Sequence, residues 1–213
     1  MAGLSKSLKN ELVGISHLFY ARGWSLATSS NFSARLDPGH ILITASGKDK
    51  GSLKDADLVE IDLMAGLTSS DSQIKPSAET YLHAELYRQD PEIGAVLHTH
   101  SVYGTILSEK FAPYGRFEFS GYEMLKALRG VLTHEHTEII PIFPNNQDMT
   151  ALSKIVLATL AESREMHSFL IDRHGLYTWG RDIGEAKRHI EALEFLFECE
   201  CRKAYNMDSE RKR

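Results

Sequence analysis

The 213-residue chain holds only two cysteines, two tryptophans and six prolines, and it has no surplus of basic charge. Each scarcity removes a class of protein. Cys199 and Cys201 stand two apart in a segment of helical pattern and face different directions, so they make no disulfide framework. A reducing compartment, the cytoplasm, is therefore expected. Lys and Arg total 24 against 29 Asp and Glu, a formal net charge of -5, which argues against a broad nucleic-acid surface. The one basic cluster, Arg211-Lys212-Arg213, reads as a solvated end. No apolar run reaches the roughly 20 residues of a membrane span, and no opening segment has the order of a secretory signal. What is present suits one sizeable core: hydrophobic residues make up 42% of the chain. A single domain over residues 1–206 with a flexible polar tail at 207–213 is the expected organisation.

Helical and strand patterns alternate. Leu8, Leu12, Ile15 and Phe19 place an amphipathic helix over residues 5–22. Residues 40–44 and 58–62 read as short strands, and a helix is expected over 78–88 after Pro76-Ser77. A short helix over 102–107, a helix over 121–128, a strand over 138–142 stopped by Pro141 and Pro144, and a helix over 149–165 follow. Phe169-Leu170-Ile171 and Leu176–Trp179 read as a hairpin, and Asp182 with Glu185 as a capping box for a final helix to about Ala204. Strands covered by helices, with an antiparallel hairpin among them, imply a layered α/β domain.

Two stretches point to metal chemistry. Gly94-Ala95-Val96-Leu97-His98-Thr99-His100 is an apolar strand ending in histidines at i and i+2. Side chains alternate along a strand, so both imidazoles leave one face. A catalytic zinc centre usually takes three protein ligands and leaves a position open. His174 ends a second apolar strand and precedes Gly175, which permits a tight turn or a close backbone approach. A competing set drawn from His134, His136 and His167 stays open on spacing alone.

Three loops rich in hydroxyls and small residues, 28–33, 44–48 and 75–79, have the donors that surround a phosphate. Ser, Thr, Asn and Gly are equally the usual residues of turns. None of the loops matches a nucleotide fingerprint, so ATP and NAD are not indicated. Two glutamates stand out as acid or base candidates. Glu79 falls in the first turn of the expected helix, where a carboxylate also improves the helix start. Glu123 lies among Phe119, Tyr122 and Met124, surroundings that raise a carboxyl pKa when they enclose it, whereas an exposed helical Glu is the plain alternative.

Five ordered motifs, residues 30–35, 43–48, 76–79, 97–101 and 173–180, make the chain resemble the class II aldolase/adducin superfamily over about residues 8–200. The likeness is closest to its branch of 5-methylthioribulose-1-phosphate dehydratases in methionine salvage. The resemblance implies an α/β fold, a layered α-β-α arrangement with a mixed, largely antiparallel central sheet. It implies one zinc ion per subunit on His98, His100 and His174, and a phosphate pocket of Asn31, Ser46, Gly47, Ser77 and Ala78. Lys48 is added to that pocket on charge grounds. In related sugar-phosphate aldolases the counterpart of Glu79 is the catalytic carboxylate; in the dehydratase branch the acid/base matches Glu123. Phe117, Phe119 and Tyr122 stand where the aldolases carry a catalytic tyrosine, which favours dehydration over carbon–carbon cleavage. The implied partner is a small phosphorylated ketose, with no nucleic acid and no membrane, and the implied assembly is a homo-oligomer, a tetramer. A sugar-phosphate aldolase and a non-enzymatic adducin-like scaffold are the alternatives.

Overall fold

Alternation along the central strands sorts the side chains into two apolar layers. The computed structural model describes residues 2–65, 75–162 and 166–211. Its strands are β1 (Asn31–Asp37), β2 (His40–Thr44), β3 (Leu58–Asp62), β4 (Ala95–Thr99), β5 (Arg116–Phe119), β6 (Glu138–Phe143), β7 (Ser168–Ile171) and β8 (Gly175–Gly180). Its helices are α1 (Ala2–Ala21), α2 (Thr80–Gln89), α3 (Val102–Phe111), α4 (Met149–Glu162) and α5 (Ile183–Arg211). The strands form one sheet in the order β3-β2-β1-β4-β8-β7-β6-β5. Every neighbouring pair is antiparallel except β6 with β7. On β4, Ala95 and Leu97 pack with Phe19, Leu107 and Phe197 of α1, α3 and α5. Val96 turns to the other layer and meets Leu82, Leu86, Leu152 and Val156 of α2 and α4. The expected α-β-α arrangement with a largely antiparallel sheet is the one observed. Among the described residues no helix is long and apolar enough to cross a membrane.

The departures from the sequence pattern have local causes. Residues 31–33 read as part of a hydroxyl-rich loop, yet they begin β1, which lies between β2 and β4. Asn31 and Ser33 are buried there because they bond to other buried polar groups, and this hides the strand from a hydrophobic pattern. β5 is only four residues long, with Phe117 and Phe119 buried and Arg116 and Glu118 exposed. The expected helix over 121–128 is instead a short 3-10 turn, Glu123–Ala127, between a left-handed Gly121 and an extended Leu128. β6 passes through Pro141, where it leaves its pairing with β5 and continues against β7. α5 runs to Arg211, so residues 207–211 of the expected tail are helical, while 212–213 lie outside the described residues. The end of the expected 149–165 helix, residues 163–165, lies outside them too. The capping box forms in altered register: Asp182 accepts from the Glu185 N–H at 2.7 Å, and Glu185 reaches back to the Arg181 N–H at 2.9 Å.

Gly175 controls how closely β8 approaches β4. A Cβ there would lie 2.1 Å from the Thr99 carbonyl oxygen and 3.0 Å from His98 Cε1. Gly175→Ala is therefore expected to push the two strands apart and to cost about 2–4 kcal/mol of stability. A thermal midpoint lowered by roughly 5 °C or more is the expected reading, and an unchanged midpoint would contradict the packing.

Candidate active site

Three imidazoles meet where β4 and the β7–β8 turn end side by side. His98 is the penultimate residue of β4, is fully buried, and stacks on Tyr177 of β8 at 4.0 Å and 16°. His100 follows the strand, and its N–H donates to the Trp24 carbonyl at 2.8 Å. His174 sits in the turn behind Arg173, whose φ of 52° is left-handed. His98 Nε2 lies 2.7 Å from His100 Nε2 and 3.3 Å from His174 Nε2. One nitrogen from each ring falls within 4.8 Å of the others. His98 Nδ1–H donates to the Leu176 carbonyl at 2.9 Å, which leaves the Nε2 lone pair facing its two neighbours. Burial pushes His98 down to about 4, and burial beside the other two rings lowers His100 to about 2. With its hydrogen spent on Leu176, His98 keeps an Nε2 lone pair for a cation, and His100 and His174 each bring a ring nitrogen beside it. The set fits zinc, and imidazole ligands equally suit iron, cobalt or nickel.

The competing histidines do not come together as a set of three. His134 lies 3.4 Å from Glu123, whereas His136 and His167 both pair with the buried Glu138 at 3.0 Å.

Glu79 completes the cluster from the opposite layer. The pattern placed it inside a helix; the structure makes it the N-cap residue of α2, with φ -86° and ψ 3° and no capping bond from its side chain. Its carboxylate turns to the imidazoles instead, with Oε1 3.0 Å from His174 Nε2 and Oε2 3.5 Å from His98 Nε2. Burial opposes its ionisation, but the neighbouring His98 and His174 rings and the Asn31 amide hold it well below the usual carboxylate range.

The hydroxyl-rich loops are brought together beside it. Asn31 is the cross-strand partner of His98, and its amide N–H₂ donates to Ser77 Oγ at 3.3 Å and to Glu79. A bridge between Ala45 and Pro76 and a 3.0 Å bond from Ser46 N–H to Lys75 O join the second loop to the third. Gly47 supplies the left-handed turn of that second loop with φ 71°. Ser77 is half-buried and Ala78 exposed at the entry to α2.

One sequence expectation changes here and one open choice is settled. Lys48 pairs with Asp57 at 2.8 Å on the surface, so its charge is already neutralised by a carboxylate outside the pocket. The missed residue is Lys50, 1% exposed, whose Nζ donates to the Lys48 carbonyl at 2.9 Å. It makes no ion pair among the described residues. Burial lowers it to about 8 against the attraction of Asp49 and Glu79, and its charge is felt at His100. A lysine between Asp49 and Gly51 carries no sequence signal of burial. For Glu123 the exposed alternative is the one observed. Phe119 packs into the core and Tyr122 and Met124 against it, so they do not enclose the carboxylate, which is 72% exposed. A bond from Lys126 at 2.7 Å lowers its pKa instead of raising it, with His134 adding to the effect. Among the described contacts it touches neither Glu79 nor the three histidines.

A family profile described as Class II Aldolase and Adducin N-terminal domain matches residues 10–201. The methylthioribulose-1-phosphate dehydratase of Stenotrophomonas maltophilia is 53% identical over 178 residues, covering 84% of this chain and 82% of that protein. The protein of the same name from Hahella chejuensis is 47% identical over 190 residues, 89% of this chain and 90% of its own. Among solved structures, the L-fuculose-1-phosphate aldolase of Thermus thermophilus superposes with a TM-score of 0.77 at 23% identity, covering 96% of this chain and 98% of that one. At that identity the likeness speaks for the fold. With its profile match over most of its length and close relatives of one name, the chain belongs to the class II aldolase and adducin family.

Proposed function

We propose that the chain is a hydro-lyase of methionine salvage that converts 5-methylthio-D-ribulose 1-phosphate into 5-methylthio-2,3-dioxopentyl 1-phosphate and water. It works in the cytoplasm as a homotetramer with one zinc ion per subunit. The observation that carries the reading is the meeting of three imidazoles and the Glu79 carboxylate beside joined loops of amide and hydroxyl donors. The names of the close relatives give the substrate.

A divalent cation on His98, His100 and His174 supplies Lewis-acid polarisation of the substrate oxygens next to it. Asn31, Ser46, Gly47, Ser77 and Ala78 receive the phosphate through N–H and hydroxyl groups, and the Lys50 ammonium offsets its charge from a dry position. The Glu123 carboxylate takes the proton from C3. It returns that proton to the C4 hydroxyl, which departs as water, and the resulting enol tautomerises to the diketone. Glu79, committed through both oxygens, orients imidazoles and holds negative charge near the cation. The division follows from exposure: Glu123 exchanges protons with solvent, whereas Glu79 is enclosed.

Zinc-analysed protein given 5-methylthioribulose 1-phosphate is expected to yield a product lighter by one water with its carbon skeleton intact. Two smaller fragments in the mass spectrum would establish an aldolase instead. His98→Ala and His174→Ala should each lose bound zinc, by metal analysis, together with turnover. Glu123→Gln should keep its zinc and lose at least about a hundredfold in kcat, the scale of general acid–base catalysis. Near-normal turnover would remove Glu123 from its role. Lys50→Met should raise KM about tenfold, the loss of one charge-assisted bond, whereas Lys48→Met should change it less than about twofold. The reverse order would return the pocket charge to Lys48.

A further inference from the structure

Behind Glu79 and Asn31 runs a line of buried polar groups, His83, Ser33 and Tyr87, to which no role has been given. On α2 and its N-cap, Glu79, His83 and Tyr87 recur every fourth residue and share one face. On β1, Asn31 and Ser33 are two apart and share one face. Four helical residues advance about 6 Å and two strand residues about 6.6 Å, so the two rows stay in step. They interlock. Tyr87 OH lies 2.9 Å from Ser33 Oγ, Ser33 Oγ 2.7 Å from His83 Nδ1, and His83 Nε2 2.5 Å from Asn31 Oδ1. Asn31 Nδ2 then meets Glu79. None of the four residues behind Glu79 is more than 3% exposed.

The direction of each bond follows from the Asn31 amide. Its N–H₂ donates to Glu79 and to Ser77 Oγ, so its carbonyl faces His83 and accepts. His83 must then donate from Nε2. Burial holds this ring neutral, with its pKa pushed down to about 4, so Nδ1 keeps a lone pair and accepts from the Ser33 hydroxyl. Ser33 Oγ in turn accepts from Tyr87. An amide in the middle passes no proton, so the line orients groups and conducts nothing.

We propose that His83 is a positioning residue, held as its Nε2–H tautomer, that fixes the Asn31 amide and through it the Glu79 carboxylate against His98 and His174. Its effect on catalysis rests on the function proposed above; its tautomer does not. The test has two arms on the zinc-loaded protein. In the first, ¹⁵N NMR of the imidazoles, with His83→Gln to assign the resonance, should show His83 protonated at Nε2 and bare at Nδ1, unchanged from about pH 5.5 to 8.5. Glu79→Gln, whose side chain both donates and accepts, should release this lock and mix the tautomers. An Nδ1–H tautomer or an imidazolium in the parent protein would overturn the proposal, whether or not the ketose phosphate is turned over.

In the second arm, His83→Leu should lower kcat/KM at least about twentyfold with zinc content retained, and His83→Gln, whose amide N–H replaces Nε2–H, should return it to within about fivefold of the parent. Tyr87→Phe, two links away, should cost less than either. Folded His83→Leu with parental kcat and KM, or a folded glutamine variant no better than leucine, would overturn the positioning role. Should His83→Leu fail to fold, the glutamine variant and the NMR arm decide.

Discussion

The structure turns on a buried electrostatic arrangement: three imidazole nitrogens directed at one another with a single carboxylate alongside. Each part alone is unfavourable. A carboxylate removed from water loses hydration worth several kcal/mol, and imidazoles at contact distance repel as soon as more than one is charged. Together they are compatible, because Glu79 faces His98 and His174, and the space between the rings is shaped for a cation. Neither layer holds this set alone. The histidines come from the sheet, and the carboxylate comes from the start of a helix packed across it.

The sheet order makes that meeting possible. β1, β4 and β8 are adjacent, so Asn31, His98 and Tyr177 stand side by side across three strands in register. His98 is pinned from both sides, by the Tyr177 ring and by its bond to Leu176. The close passage of Gly175 beside Thr99 brings the His174 turn within reach. Among the described residues, the non-glycine residues with positive φ are Ala27, Thr28, Ser30 and Arg173. All four lead into Asn31 or His174, so the unfavourable backbone is concentrated where side chains are aimed.

The charged groups around this centre fall into two kinds. Glu79 and Lys50 are enclosed and keep charge where water does not screen it, which suits binding and orientation. Lys48 and Glu123 lie at the surface and already have partners, Asp57 in one case and Lys126 with His134 in the other. The exposed carboxylate exchanges protons freely; the enclosed one is tied by bonds to both oxygens. In the proposed dehydration the exposed group moves a proton and the enclosed charges receive negative charge on oxygen.

Hydrophobic spacing alone marked most helices, the strands at 40–44, 58–62 and 169–171, and the layered α/β class, because apolar side chains repeat with the period of the element that buries them. The His-x-His ending of β4 and the Arg173-His174-Gly175 turn were legible for the same reason, since alternation sends two imidazoles to one face. β1 was not legible, because its inward side chains are polar and satisfied by partners about 50 residues away, His83 and Glu79. Lys50 was missed and the surroundings of Glu123 stayed open because burial depends on which way a loop folds over its neighbours, and adjacent sequence carries no record of that. The sequence by itself determined which elements form and which imidazoles exist to hold a cation. Only the tertiary structure decided that Glu79, Asn31 and Lys50 enclose them while Lys48 and Glu123 face water, since charge and hydrogen-bond partners are assigned by distance in space and not along the chain.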